Sequence, residues 1–348
     1  MGGAGSDSAE SEDQGNFKKM IIIQLAGGLG NQMFQYALYL QLKSLGRDVR
    51  IDDVAGFVQD AKRDPALKPF GISYERASKK EIIKMLDSSL LPWNRVRRKL
   101  CGRKKKSYFE EDKRYHPEIM TWDDIYLEGY WQTEKYFEAI ADEVRQAYDT
   151  DKLVQYLRGA GSTYAVKKSS AHSNEAISGR MSMEDWLARI TSTESVSVHI
   201  RRGDYLLPEN QTLFGDICTE AYYRKAMEQM KRKHPGCRFY LFSNDKKWIK
   251  ERIEEYKSSC IQKTGAEAAG SDWTDRLEVV DLEEQNDYAE FVLMSKCKHN
   301  ILANSSFSWW ASYLNYNPDR TVFAPDRWLN GWDCRDFYRK DMKGISNT

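Results

Sequence analysis

Residues 21–40 read IIIQLAGGLGNQMFQYALYL, and the change of character within them decides the fold. The apolar run Ile21-Ile22-Ile23 with Leu25 suits a strand covered on both faces of a parallel sheet. Gly27, Gly28 and Gly30 interrupt it. From Asn31 the apolar residues Met33, Phe34, Ala37, Leu38, Leu42 and Leu45 recur at helical spacing, and Gly46 stands where a helix stops. Residues 49–51 begin a second strand, which completes a β-α-β opening. Its glycines nearly match the dinucleotide pattern G-x-G-x-x-G, but Met33 holds the third position. Asp52-Asp53 lies where a ribose-binding acid would be sought. The stretch is either a nicotinamide or flavin site lacking one glycine, or a site for a different phosphate.

The rest of the chain narrows that choice. With 348 residues there is room for one large domain or two ordinary ones. Lys+Arg 53 against Asp+Glu 52 leaves a net charge of +1, which gives no general attraction to nucleic acid or to an anionic membrane. Aromatics at 12%, ten of them Trp, supply a substantial core and rings able to stack on a sugar. The cysteines are scattered without a C-x-x-C, so neither a zinc site nor a disulfide framework is indicated, and a reducing compartment fits. Residues 1–19 read as a disordered leader or expression remnant, and no run of about 18 apolar residues spans a membrane.

Further along, helical spacing covers 79–86, and the basic run 95–106 reads as a solvated helix face. A strand is expected over 126–131 and an amphipathic helix over 134–148. Residues 158–181 are rich in Gly, Ser and Ala and read as a linker. Beyond it strands at 195–200, 239–242, 277–280, 300–303 and 322–324 alternate with helices, the pattern of a helix-covered parallel sheet. The chain thus divides into a Rossmann-like domain over 20–165 and a second over 166–348. Ligands of such sheets sit beyond the carboxyl ends of the strands.

Three polar clusters fall at those ends. In His199-Ile200-Arg201-Arg202-Gly203-Asp204-Tyr205, two arginines at a strand tip offer charged forks for a diphosphate. In Phe242-Ser243-Asn244-Asp245, Asn244 or Asp245 caps the next helix. In Asn304-Ser305-Ser306-Phe307-Ser308-Trp309-Trp310, hydroxyl residues open a helix whose free amides favour an anion, while Trp309 and Trp310 belong to the core. Glu290 either accepts the paired hydrogens of a guanine or is a surface acid. Asp149-Thr150-Asp151 has the form of a D-x-D metal motif, but its place before the linker makes chance the better explanation.

HIRRGDY, FSND and EFVLMSKCKHNILANSSFSWWASYLN, together with GGLGNQMFQYALYLQL and GYWQTEKYF, resemble the bacterial α-1,2-fucosyltransferases of glycosyltransferase family 11 over residues 20–328. The resemblance implies an α/β, GT-B-like fold in which two Rossmann-like domains with parallel sheets face a central cleft. It implies transfer of L-fucose from GDP-fucose to the 2-hydroxyl of a terminal β-galactoside, with inversion and without a required metal or other cofactor. Carried onto this sequence, Arg201 holds the β-phosphate and His199 lies beside the nucleotide. Asn31 contacts diphosphate and fucose from the other domain. Ser305, Ser306 and Phe307 contact diphosphate and base, with Glu290 where relatives often carry an aspartate.

Gly28 and Gly30 would let the backbone approach the donor, and Asn244 joins the donor set. Asp204 is the candidate general base or the group that orients Arg201. Tyr130 and Trp131 are the candidate acceptor contacts. The implied setting is cytoplasmic or peripheral at the inner face of the membrane. Three other readings remain open: a related transferase using another GDP-sugar, a binding module that keeps the fold but transfers nothing, and a nucleotide-dependent oxidoreductase.

Overall fold

The computed structural model describes residues 19–58, 60, 63–102, 104–159, 180–264 and 273–346. The opening apolar run is β1 (Met20–Ala26), in which Ile21, Ile22, Ile23 and Leu25 have no solvent exposure. After the glycine turn come α1 (Leu29–Ser44) and β2 (Asp48–Gly56), then α2 (Lys79–Leu86), α3 (Pro92–Cys101), β3 (Ser107–Phe109) and β4 (Ile125–Glu128). These strands form one parallel sheet in the order β2-β1-β4-β3. Two short helices, α4 (Ala141–Ala147) and α5 (Thr150–Gly159), follow.

The second half runs α6 (Met183–Thr191), β5 (Ser195–Ile200), α7 (Pro208–Phe214), α8 (Glu220–Lys233), β6 (Arg238–Ser243) and α9 (Lys246–Thr264). It continues with β7 (Leu277–Val279), α10 (Asp287–Lys296), β8 (His299–Ile301), α11 (Ser306–Tyr313), β9 (Val322–Pro325) and β10 (Met342–Ile345). Its six strands are all parallel, in the order β10-β9-β8-β5-β6-β7. Each sheet reverses its winding at one strand. In the first, β1 lies between β2 and β4; in the second, β5 lies between β6 and β8. Crevices open beyond the carboxyl ends at such switch points, which puts the loop after β1 at one and the loops after β5, β6 and β8 at the other, and all of them line the same cleft. This is the GT-B-like α/β arrangement the motifs imply.

Aromatic residues join the halves. Phe34 of α1 meets Trp309 at 4.6 Å and Trp310 at 4.9 Å, and Trp310 also stacks on Phe137 at 5.4 Å. Trp309 and Trp310 are therefore core residues, as their helical spacing indicates. One apolar cluster runs continuously from β1 and α1 through α10 and α11 to Phe337. Each aromatic contact of this kind adds about 0.5–1.5 kcal/mol beyond the area it buries.

Some expectations need correction. The helix over 134–148 is broken into 3-10 turns at Glu134–Tyr136 and Glu138–Ile140 before α4 begins. The strand over 126–131 ends at Glu128, because Trp131 takes a left-handed φ of 55° and turns the chain. A further strand, β10, follows β9. The boundary at 165/166 and most of the 158–181 linker lie outside the described residues, as does the 1–19 leader up to residue 18.

Candidate active site

The loops at the two switch points enclose a cleft of about 1220 Å³. The motif GNQMFQY builds one wall by using three amides differently. Gln32 is buried and fully engaged: Nε2 donates to the carbonyls of Gly27 (2.9 Å) and Asp64 (3.0 Å), and Oε1 accepts from the Ala66 amide (2.7 Å). Gln35 accepts from the Ala26 amide (3.0 Å) and donates to the Gly129 carbonyl (2.8 Å). These two glutamines fix the loops around the glycine turn. Asn31 faces the cleft. Its Oδ1 accepts from Gln132 Nε2 (2.6 Å) and from Ser306 Oγ of the other half (2.7 Å). With the oxygen doubly engaged, the Nδ2 hydrogens are what Asn31 can offer a ligand. That nitrogen lies over Gly27, where a Cβ would come within 2.6 Å of it and where φ is +74°.

Gly30 lines the cleft as Gly28 does, and it has a second task. A Cβ there would sit 2.5 Å from the Ser306 carbonyl carbon and 2.7 Å from the Phe307 amide nitrogen. Gly30 allows α1 to touch the start of α11, and the Asn31–Ser306 bond depends on that contact. Gly28 lines the cleft and points toward the Arg63 guanidinium. Ser305 is the N-cap of α11, its Oγ accepting from the Phe307 amide (3.3 Å). Phe307 packs edge-on against Phe291 at 5.3 Å and lies 5.7 Å from the His199 ring. Ser305, Ser306 and Phe307 all line the cleft at a helix N-terminus, where partial positive charge favours an anion.

Opposite them stands the tip of β5. His199 is buried, its Nδ1 has no hydrogen-bond partner, and burial with the nearby Arg201 charge pushes its pKa down to about 3. The imidazole is therefore neutral at ordinary pH. Arg201 lines the cleft with its guanidinium 5.5 Å from the Tyr205 ring.

The idea of two arginine forks is corrected: Arg202 stacks on Trp248 at 3.7 Å and pairs with Asp245 at 3.3 Å. Neighbouring residues of an extended tip point in opposite directions, so of these two arginines Arg201 lines the cleft and Arg202 does not. Asn244 accepts from the Arg202 amide (3.0 Å) and so holds this turn, while Asp245 caps α9 through the Trp248 amide (3.1 Å). Gly203, at φ +45°, makes room for Asn244. Asp204 lies in the 3-10 turn Gly203–Leu206, and its side chain is outside those described.

The floor carries charges that the motifs did not disclose. Glu290 is no surface acid: it lines the cleft and pairs with Lys246 at 2.8 Å. Burial pushes its carboxyl above the usual range, and Lys246 pulls it back. Lys246 also donates to Gln285 (2.7 Å), while Asp281 receives Lys250 (2.7 Å) and Arg180 (3.7 Å). The i, i+4 spacing of Lys246 and Lys250 at the head of α9 was the available signal.

On the first-half wall, Tyr130 is exposed, with Lys113 5.9 Å from its ring centre. Trp131 is a correction: it has no exposure, packs against Tyr108 and Tyr136, and cannot stack on a sugar. Buried Glu110 locks this turn by accepting from the amides of Tyr130 (3.0 Å) and Trp131 (3.2 Å). Asp60, Arg63 and Gln132 complete the wall, and Asp60 is its carboxylate among the described residues.

Two acids drop out. Asp52 is buried and bonded to Tyr126 Oη (2.8 Å) and the amides of Val54 and Ala55 (3.0 and 3.1 Å), so it has no place for a ribose. Asp149 caps the start of α5 through the Asp151 amide (2.8 Å), and Asp151 pairs with Lys296 (2.7 Å). Among the described residues, Glu194, His234 and His299 are grouped closely enough to hold a cation. His299 Nδ1 accepts from the Thr321 amide (3.0 Å), which leaves the ring proton on Nε2, bonded to Glu194 (2.8 Å) rather than free for a metal.

The chain is similar to proteins already known. Residues 163–345 match the family described as glycosyl transferase family 11. An alpha-1,2-colitosyltransferase of Escherichia coli is 25% identical over 341 residues, 91% of this chain and 95% of that protein. The O-antigen biosynthesis glycosyltransferase WbnK of Escherichia coli is 28% identical over 323 residues, 88% of this chain and 94% of that protein. A galactoside alpha-(1,2)-fucosyltransferase 1 from Saimiri boliviensis boliviensis is 32% identical over 119 residues, 34% of this chain and 28% of that protein.

Proposed function

The chain belongs to glycosyl transferase family 11, and from that premise we propose that it moves L-fucose from GDP-fucose to the 2-hydroxyl of a terminal β-galactoside. The observation that carries the reading is the Asn31–Ser306 bridge facing Arg201 across one cleft. An amide donor, a helix N-terminus and a guanidinium lining one cleft support binding of an anionic group there. Breaking the sugar–phosphate bond puts negative charge on the leaving diphosphate and oxocarbenium character on C1. Arg201 and the Ser306 amide at the head of α11 meet that charge, each well-placed donor contributing about 3 kcal/mol. Neutral His199 adds no second positive charge that would have to be desolvated. Glu290, held by Lys246, is the acceptor for guanine hydrogens.

The acceptor sugar lies against Tyr130 on the first-half wall, and its hydroxyl attacks the face of C1 opposite the diphosphate. Asp60 and Asp204 are the two carboxylates proposed to take its proton. The test incubates the purified chain with GDP-fucose and lactose, measures GDP release and assigns the product linkage by NMR. Absence of GDP release across a panel of galactosides would sink the proposal. A second reading replaces fucose by colitose, because a relative aligned along 91% of the chain carries that name. A donor screen on the same acceptors separates the two. The oxidoreductase alternative has lost its ribose acid, since Asp52 is spent on Tyr126 and two backbone amides.

A further inference from the structure

Helix α3 reverses the usual orientation of a surface helix. Its polar side faces the protein: Arg97 pairs with Asp87, Arg98 donates to the carbonyls of Asp87 (3.1 Å) and Ser89 (2.7 Å), and Asn94 donates to Ser89 Oγ (3.0 Å). None of its residues is buried. Trp93, Val96 and Leu100 are 65%, 58% and 77% exposed and share one helical face at i, i+3 and i+7, with Leu90 and Leu91 exposed just ahead of the helix. A solvated face would carry charge at those positions instead.

The surrounding charge has one sign. Residues 88–109 contain eight Lys or Arg and no Asp or Glu. Four of the eight have acidic partners elsewhere: Arg97 and Arg98 at Asp87, Lys105 at Glu128 and Lys106 at Asp124. Arg95, Lys99 and Lys104 are exposed and form no ion pair with the described residues. Lys99 borders the apolar stripe, and Arg95 lies one turn before it on the same side of the helix.

We propose that α3, with Leu90 and Leu91, is an in-plane anchor that seats this face of the protein on an anionic lipid bilayer. A Trp/Leu/Val stripe bordered by lysine and arginine is what the headgroup–acyl boundary of such a bilayer accommodates. A second copy of the chain is the poorer occupant. A two-fold contact would set the same cations against each other with no acid in the patch to offset them.

The test is flotation of the full-length protein with vesicles of phosphatidylglycerol and phosphatidylcholine, against phosphatidylcholine alone. Two surface variants accompany it, Trp93→Ser/Leu100→Ser and Arg95→Glu/Lys99→Glu, with thermal unfolding as a check on the fold. The native chain should float with the anionic vesicles and be released by high salt, and each variant should bind at least about tenfold more weakly. Both variants should keep native turnover of donor with a soluble acceptor. Failure of the native chain to float, equal binding to neutral vesicles, or undiminished binding by both variants would overturn the proposal. So would a dimer that the variants abolish when no vesicle binding is seen. Flotation needs no turnover, so this result stands apart from the fate of the fucosyl-transfer reading.

Discussion

Gly28 and Gly30 look equivalent in the sequence, and the structure predicts that alanine will affect them very differently. At Gly30 a Cβ would lie 2.5 Å from the Ser306 carbonyl carbon, 2.7 Å from its oxygen and 2.7 Å from the Phe307 nitrogen. Relaxed carbon contacts are about 3.5–4.0 Å, so α1 and α11 must separate by roughly 1 Å. Overpacking of this kind costs about 1–3 kcal/mol. Alanine's better helix propensity returns about 1 kcal/mol. The net loss is about 8 °C of Tm at most, at about 2–4 °C per kcal/mol for a large domain.

The functional loss is larger. A 1 Å separation breaks the 2.7 Å bond that orients Asn31, and misplacement of that size costs about 10²-fold in rate. Gly28 has φ −80°, and a Cβ there meets only Arg63 Nη1, at 3.0 Å, the end of a side chain free to swing. Gly28→Ala should keep the native Tm and stay within a few fold of native kcat/KM. GDP release from GDP-fucose with lactose, alongside thermal unfolding with and without GDP, reads both quantities. Near-native turnover by Gly30→Ala, or equal losses at the two glycines, would refute the reasoning.

Arg201→Ala should abolish transfer with little change in Tm, whereas Arg202→Ala should lower Tm through loss of the Trp248 stack and keep turnover; comparing kcat and Tm separates them. Tyr130→Ala should raise the acceptor KM without unfolding the protein. Trp131→Ala should cost about 3–5 kcal/mol of stability, the usual price of emptying a buried aromatic site, as chemical denaturation would show. His199 should weaken the fold in acid. Its folded pKa of about 3 lies below the ordinary 6.5, so the unfolded chain binds a proton that the folded one refuses. The stabilisation is complete above pH 6.5 and is lost as pH falls toward 3, at about 1.4 kcal/mol per pH unit. His199→Asn should flatten the stability–pH curve in that window, and superimposable curves would count against the burial argument.

What the sequence disclosed and what it hid follow from how local each signal is. The apolar run from Ile21 to Leu25 and the helical spacing after Asn31 are set by neighbours in the chain, and they appear where they were read. The direction of Arg202 is not local: it depends on Trp248, 46 positions away by subtraction of the two numbers. Trp131 followed Tyr130 in a stretch read as strand. Its burial rests on Glu110 locking the turn and on a left-handed backbone that no β-propensity signals. The cations of the floor were hidden for the same reason. Lys246, Lys250 and Arg180 converge on Asp281 and Glu290 only after the sheet has formed. The basic run 95–106 read as one solvated helix face, whereas α3 ends at Cys101 and turns Arg97 and Arg98 toward the protein; the period alone could not say which of its faces the protein covers.

The joined core bears on how the site works. Two domains separated by a cleft would ordinarily meet through a modest polar interface and move against each other. Here α1 and α11 are in backbone contact at Gly30, and Phe34, Trp309, Trp310, Phe137 and Tyr148 interlock around them. Opening the halves at that point would expose several large rings, and burial of each such side chain is worth about 1.5–3 kcal/mol. The Asn31–Ser306 corner is therefore built rigid, and any movement must be confined to the cleft walls away from it. On the proposed reading a donor diphosphate would meet the Asn31 amide and the Arg201 guanidinium already in the cleft, the condition under which electrostatic stabilisation of a leaving group costs no reorganisation at the moment of reaction.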